Sequence, residues 1–516
     1  MSSATHALRA VGIEEKLTTS RANADVTTRS RTLALACIVV VAGFLDLHNL
    51  GSQPFWTDEV VTYDVATSHG LGFVKLATRN ASMAFYHLVL HGWVMLVPPT
   101  DFNIRLLATV FAVAAVVAVY VLARKLFGSA VGLAAAALLA VNPFFLNYAQ
   151  EARSYTLTVF LVLLSWSFFI ESCRHPKLLN LAIYIAATTL AIYSHNLAML
   201  ILPAQFVAIF LFREEARLVR IRLAGALCIA FLLVSPLFLI AALLYRRDND
   251  WIAASIGPPG LNSLREVLGS FAAGTPAPRI AGQLLELLFV AGAFLYFQRF
   301  VTASRRGSKE FGSYALIVGA FALPIALLMG VSQLEPLFIP RYVLICLPFL
   351  VVMVAVGWLL SGSRLVAAVG LMLLVGLSLR VDQSYYLNPY KPDWPEATKF
   401  IVDNARHGDK LAFVPSYGRF EFEHNLQRVV GGDSQLTIIY PTVDAAGHSF
   451  DSLSLMKIAL NTPCDRLWVV SSGEMIFEKQ VFNELMLNSK YGVVFRENFR
   501  GISVTFYGHS AMAALH

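Results

Sequence analysis

Charge is what this chain has least of: 14% of its 516 residues are Asp, Glu, Lys or Arg, whereas 57% are hydrophobic. A soluble domain carries about a quarter charged residues, so a soluble globular fold is excluded, and the mean hydropathy of +0.62 agrees. Cysteine is scarce as well. Of the five, Cys37, Cys228 and Cys346 lie within apolar runs, Cys173 ends one, and only Cys464 falls in polar sequence. That distribution leaves no disulfide framework and no thiolate metal site. No Walker A or dinucleotide glycine fingerprint stands between a strand pattern and a helix pattern, so nucleotide chemistry finds no support. The net charge of +7 does not point to nucleic acid either. Lys and Arg gather in short loops between apolar runs, where they orient the spans.

Those runs are what the sequence does contain. Stretches long enough to cross a bilayer fall near 33–50, 104–123, 129–146, 156–172, 178–194, 197–212, 223–243, 281–297, 313–331, 342–360 and 364–380, which predicts a polytopic α-helical membrane protein of about 11 transmembrane helices. Arg9, Lys16, Arg21, Arg29 and Arg31 precede the first run and no small-residue cleavage site follows it; the expectation is an uncleaved anchor with residues 1–32 cytoplasmic. The loops "RKLFG", "RHPK", "REEARLVRIR" and "RFVTASRRGSK" are basic, while "NYAQEARSY" and "SHN" are poor in Lys and Arg. Alternation of this kind places the chain in the cytoplasmic (inner) membrane, with an odd number of spans leaving residues 381–516 outside.

Three outer segments are long enough to hold structure. The first, 51–103, includes the amphipathic "MAFYHLVLHGWVML". The second, 244–280, is rich in Gly and Pro and holds one short helix around 261–272. In the tail, helix-like "WPEATKFIVDNAR" and "GEMIFEKQVFNELMLN" alternate with strand-like "KLAFVP", "DRLWVVS", "GVVFRENF" and "ISVTFYG", the pattern of a small α/β domain over 381–516. The organisation expected is therefore 1–32, a membrane domain 33–380, and that domain.

Charged groups next to hydrocarbon are costly and line a cavity or pathway. Asp58, Glu59, Arg105, Glu151, Arg153, His195 and Arg341 all fall at outer ends of spans, while mid-span positions are almost entirely apolar. The chemistry sits at one face, unlike an ion pathway.

In order along the chain, "FWTDEVVTYDVA" (55–66), "FYHLVLHGWVML" (85–96), "RLLATVFAVAAVVAVYVLARKLFG" (105–128), "AAALLAVNPFFLNYAQEARSYTL" (135–157), "YSHNLAMLILPAQ" (193–205), "PRYVLICLPFL" (340–350) and "KPDWPEATKFI" (391–401) resemble bacterial glycosyltransferases of the protein-mannosyltransferase-like, family 39 type. The family often has Pro-Pro before the paired aromatics, where this chain has "SMAFYH". The resemblance implies the GT-C fold, an outer-face active site and a sugar donor carried on a polyprenyl phosphate. The acceptor classes are lipid A or lipopolysaccharide, polysaccharide, or protein. A lipid-linked-saccharide flippase and a polysaccharide polymerase or ligase are the alternatives.

Transfer needs a general base for the acceptor hydroxyl and cations for the departing phosphate. The catalytic carboxylates are Asp58, as base, and Glu59 beside it. Arg153, Arg341 and Arg105 are the donor-phosphate ligands, by forked hydrogen bonds. Glu151, His195 and Tyr155 contact substrate, and Glu151 and Glu59 position Arg153 or sugar hydroxyls. No cofactor is required, although a divalent cation bridging Asp58 or Glu151 to the phosphate suits the same oxygen donors. Each residue has a structural alternative: a helix cap at Thr57 or Asp58, an Arg153–Glu151 ion pair, a snorkelling Arg105, a helix-end His195 and an interface-belt Tyr155. His87 and His91, four apart, lack the Glu of a zincin pattern. Tyr390 and Trp394 are expected to pack the tail domain against the bundle.

Overall fold

The computed structural model describes residues 28–211, 217–244, 257–274, 277–308, 310–430, 436–443, 449–450, 456–457, 465–473, 482–483 and 491–509. Residues 1–27 and most of the expected helix 473–488 lie outside them. The first described helix is α1 (Thr28–Leu47), followed before the next span by α2 (Thr57–Thr67), α3 (Leu71–Arg79) and α4 (Ala84–Val94). The bundle continues with α5 (Asp101–Phe127), α6 (Ser129–Ala140), α7 (Pro143–Ala149), α8 (Tyr155–Arg174) and α9 (Leu178–Ser194).

α5 shows how the sequence sets a span. Thr100 caps its N-terminus by accepting from the Asn103 N–H, Arg124 and Lys125 sit in its last turn against the dipole, and Gly128 ends it at φ 90°. Its 27 residues reach about 40 Å, more than the roughly 30 Å of hydrocarbon.

Every expected run coincides with a helix. Among the described residues eight helices are long and apolar enough to cross a membrane, and α6 with α7 makes a ninth bent by 63°. Leu178–Ser194 and Asn196–Leu211 are shorter apolar helices. The bend has a plain cause. Pro143 cannot extend α6, so Asn142 leaves the helix, accepts from the Phe145 N–H to start α7, and donates to the main chain of Phe271. Segments α8 and Pro340–Leu359 are the most enclosed spans, 78% and 83% buried, and meet through Trp166 and Phe349. Leu33, Val40 and Phe44 of α1 are exposed, as expected of a face meeting lipid tails. One polar cluster inside the bundle is closed on itself: Ser165 with Thr188, and Gln205 with Ser165 and Tyr184.

The tail forms a small domain. Strands β1 (Lys410–Val414), β2 (Thr437–Tyr440), β3 (Thr442–Val443), β4 (Ser449–Phe450), β5 (Arg466–Ser472), β6 (Tyr491–Phe499) and β7 (Ile502–His509) include a five-stranded sheet in the order β2-β1-β5-β7-β6. β1 is parallel to β2 and β5; β7 is antiparallel to β5 and β6. Four of these strands are the expected ones. Trp394 is a correction: its ring belongs to the domain's own core with Phe413 and Trp468, below the helix Trp394–Asn404. Tyr390 does reach the bundle, donating to Asn147 at 2.6 Å.

Candidate active site

The two carboxylates of "WTDEV" separate because successive helical residues point about 100° apart. α2 has Trp56 as its N-cap with no side-chain capping bond, so neither Thr57 nor Asp58 serves as the cap. Glu59 turns into the protein and Asp58 stays partly exposed beside two arginines.

Glu59 is fully buried. Its Oε1 accepts from Arg105 Nε (2.7 Å) and the Ala152 N–H (2.9 Å), and its Oε2 from Arg105 Nη2 (2.8 Å) and Lys391 Nζ (2.8 Å). Burial alone would raise this carboxyl, but Arg105 and Lys391 hold it at about 2. Arg105 completes its fork on the main-chain carbonyls of Leu50, Gln53 and Pro54. All five of its N–H groups are committed, so it has none left for a phosphate. Glu59 and Arg105, expected in the catalytic pair and on the phosphate, instead tie α2, α5, the turn after α7 and the segment entering the tail domain. Desolvated charges this close must pair, which is why they face inward.

Asp58 stays one third exposed, with Oδ2 at 3.5 Å from Arg341 Nη1 and 3.7 Å from Arg153 Nη2. Arg153 is braced from below by donating through Nη1 to the Asp58 carbonyl and Thr62 Oγ1, both at 3.1 Å. Arg341 leaves the Pro340–Cys346 turn with its guanidinium 5.4 Å from the Trp56 ring and 5.6 Å from that of Tyr342. The Nε atoms of both arginines and the indole N–H of Trp56 are buried without a hydrogen-bond partner. Buried donors are normally satisfied, so a group of idle ones around a half-open carboxylate marks a place for a polar ligand.

Glu151 is buried, with Oε2 unpartnered. It makes no ion pair with Arg153; only the main chains of the two residues are bonded. Burial, opposed by Lys391 and assisted by Glu59, lifts its carboxyl to about 7. His195 caps the short turn Asn196–Leu200 through Nδ1, which accepts from the Leu197 N–H. Burial, then Arg153 and Arg341, pushes its imidazole down to about 3. It is a neutral wall of the site, ringed by Tyr155 at 5.6 Å and Tyr342 at 5.8 Å. Tyr155 is buried at the start of α8, its ring 4.8 Å from that of Tyr148. The site thus sets two guanidiniums against one partly exposed carboxylate, an arrangement that favours an anion.

His87 is buried with both ring nitrogens unpartnered, whereas His91 Nδ1 bonds the Ala66 carbonyl. Among the described residues no three His, Cys, Asp or Glu side chains converge as a metal site. Sequence reasoning passed over Lys391 and Glu421. The helix Gly418–Val430 brings buried Glu421 to accept from Thr57 Oγ1 at 2.5 Å. Its pattern "GRFEFEHNLQRVV" is too polar to announce a buried face. Lys391 stands in the "KPDW" motif, which was legible.

A bundle with one broken span, a polar site at its end and a small sheet domain over that site define a GT-C glycosyltransferase fold. Residues 83–240 match the family described as dolichyl-phosphate-mannose-protein mannosyltransferase, in line with the resemblance of the sequence motifs. The structure is similar to that of ArnT from Cupriavidus metallidurans in the apo state, with a TM-score of 0.55 and 11% identity over 93% of this chain and 98% of that one. The same protein bound to undecaprenyl phosphate gives 0.54 and 12%, over 92% and 97%. The oligosaccharyltransferase of Archaeoglobus fulgidus in its apo form gives 0.56 and 12%, over 91% of this chain and 74% of that one. Likeness at such identities shows the fold. No curated protein matches the chain.

Proposed function

We propose that this protein is an inverting glycosyltransferase that moves a sugar from a polyprenyl-phosphate donor to a cell-envelope acceptor on the outer face of the cytoplasmic membrane. The observation that carries the reading is Asp58, half open between two guanidiniums whose Nε–H groups are unused. The acceptor oxygen forms the new bond to the anomeric carbon from the side opposite the phosphate, and Asp58 takes its proton. The bond between that carbon and the phosphate oxygen breaks with its electron pair on the phosphate, where Arg153 and Arg341 receive the charge. No second, nucleophilic carboxylate is needed for inversion. Two guanidiniums supply the positive charge, so the reaction proposed is metal-independent. Structural neighbours bound to undecaprenyl phosphate and to dolichol phosphate support a lipid-phosphate donor. The basic loops support an N-terminus inside and a tail domain outside.

Incubating the purified protein with a radiolabelled monosaccharide on polyprenyl phosphate and an envelope extract tests this. Label moving to an extract component supports the reading. Passage of the lipid across a vesicle without transfer would indicate a flippase, and exclusive use of diphosphate-linked oligosaccharides a ligase.

A further inference from the structure

Between the end of α1 and the last hairpin of the tail domain lies a second recess of about 310 Å³, lined by the polar side chains of Asn49, Ser52, Gln53, Gln150, Tyr386 and Arg500, with Pro389 its one aliphatic wall. None of Asp58, Arg153 and Arg341 lines it. The Glu59 network stands against it: the Gln53 carbonyl accepts from Arg105 at 2.8 Å, and Arg500 Nε donates to the Lys391 carbonyl at 2.8 Å.

Its lining lacks the aliphatic and aromatic majority of a site for apolar ligands, so only a ligand that replaces water's hydrogen bonds gains by entering. The floor offers acceptors. Gln53 Oε1 is buried and makes no hydrogen bond. Gln150 spends its Nε2 on the carbonyls of Asp46 (3.0 Å) and His48 (2.7 Å), which leaves its amide oxygen. Tyr386 gives a fixed ring wall, its hydroxyl held by the Leu45 carbonyl at 2.5 Å and its ring against His48. The rim carries the only charged side chain of the lining, Arg500. Its side chain is 38% exposed, and it pairs with Asp393 only at 3.6 Å, longer than a hydrogen bond. The size is at the small end for ligand sites, enough for a sugar and not for a lipid tail.

We propose that this recess is a saccharide subsite for an anionic sugar, whose hydroxyls meet the amide floor and whose carboxylate or phosphate meets Arg500. Assigning that sugar to the acceptor rests on the transferase reading; the binding does not. The lining requires hydroxyl donors below and an anion above, and a fork suits either anion.

Saturation-transfer NMR on the full-length protein in detergent decides, with glucuronate, glucose 6-phosphate and glucose as probes. At least one anionic probe binds about tenfold more tightly than glucose, the increment expected of one charge-assisted hydrogen bond. Which of the two it is distinguishes carboxylate from phosphate. Arg500→Gln brings the anionic probes down to the glucose level, Gln53→Leu weakens all three, and in Asp58→Asn the difference made by Arg500 remains. Melting curves on each variant check folding, and Gln53→Leu carries the test where Arg500→Gln does not fold. The subsite is overturned where no probe binds, where glucose matches both anions, where neither lining variant alters binding, or where Asp58→Asn abolishes it. Probe binding without any sugar transfer refutes the transferase reading and leaves the subsite standing.

Discussion

Replacing Glu59 by Gln exchanges one carboxylate oxygen for an amide nitrogen and leaves the volume unchanged, yet the surroundings make it the most damaging single change in this region. Each oxygen accepts two hydrogen bonds, Oε1 from Arg105 and Ala152, Oε2 from Arg105 and Lys391. Whichever way the Gln amide is turned, its NH2 faces two donors. Arg105 and Lys391, with side chains 1% and 5% exposed, then keep two positive charges in a desolvated place without a counterion. Breaking one buried pair costs about 3–5 kcal/mol, and two cations share this partner, so the loss should reach at least that range. A membrane protein extracted in mild detergent should show it as a much lower melting temperature and poor recovery as a monodisperse species by fluorescence-detected size exclusion. Glu59→Gln that melts with the parent protein but transfers no sugar would refute this account and return Glu59 to the chemistry.

Asp58→Asn should give the converse, a melting temperature close to that of the parent and a transfer rate about 100-fold or more lower, the scale of general-base catalysis. Arg153→Lys keeps the charge but loses the planar group whose Nη1 donates to the Asp58 carbonyl and Thr62 while its Nη2 faces the Asp58 carboxylate, so turnover should drop while expression holds; normal turnover would assign Arg153 to structure. Burial, opposed by the Thr57 hydrogen bond, lifts Glu421 from 4.5 to about 7. The folded state therefore holds this proton more tightly than the unfolded chain, and the stability it contributes is complete below about 4.5 and lost as pH rises through about 7. Melting temperatures scanned from pH 5 to 8 should fall less steeply in Glu421→Gln; an unchanged slope would contradict the buried carboxyl. Reporter fusions after residues 215 and 516 should give opposite signals, and equal signals would place the loops wrongly.

Much of the architecture was legible because hydrocarbon imposes its own length on a helix: each apolar run is helical, although 129–146 breaks at Pro143 and the runs at 178–194 and 197–212 are shorter than the other spans, and "KLAFVP", "DRLWVVS", "GVVFRENF" and "ISVTFYG" became strands. The side of α2 on which each carboxylate lies was not. "TDEVV" places Asp58 and Glu59 as neighbours, and only the partners brought by distant segments decide that one is solvated and the other enclosed. Arg105 was misread for the same reason, since a lone Arg at a span end looks alike whether it meets a phosphate or three main-chain carbonyls. His195 is held down by burial first and then by two arginines, and both depend on segments that the sequence puts far away. Glu421 gave no signal at all, because its burial depends on Thr57 and not on its own helix.

The bond between Lys391 and Glu59 joins groups 332 residues apart in the chain. During synthesis Glu59 leaves the ribosome early and must wait, with Arg105 as its first companion, until the last span and the start of the tail have emerged. The outer loop that carries Asp58 is therefore finished only when the protein is nearly complete. A chain cut short before residue 391 would insert its helices yet lack the second cation that fixes α2. Such a fragment would sit in the bilayer with α2 short of one of its two cations and Asp58 not yet fixed beside Arg153 and Arg341.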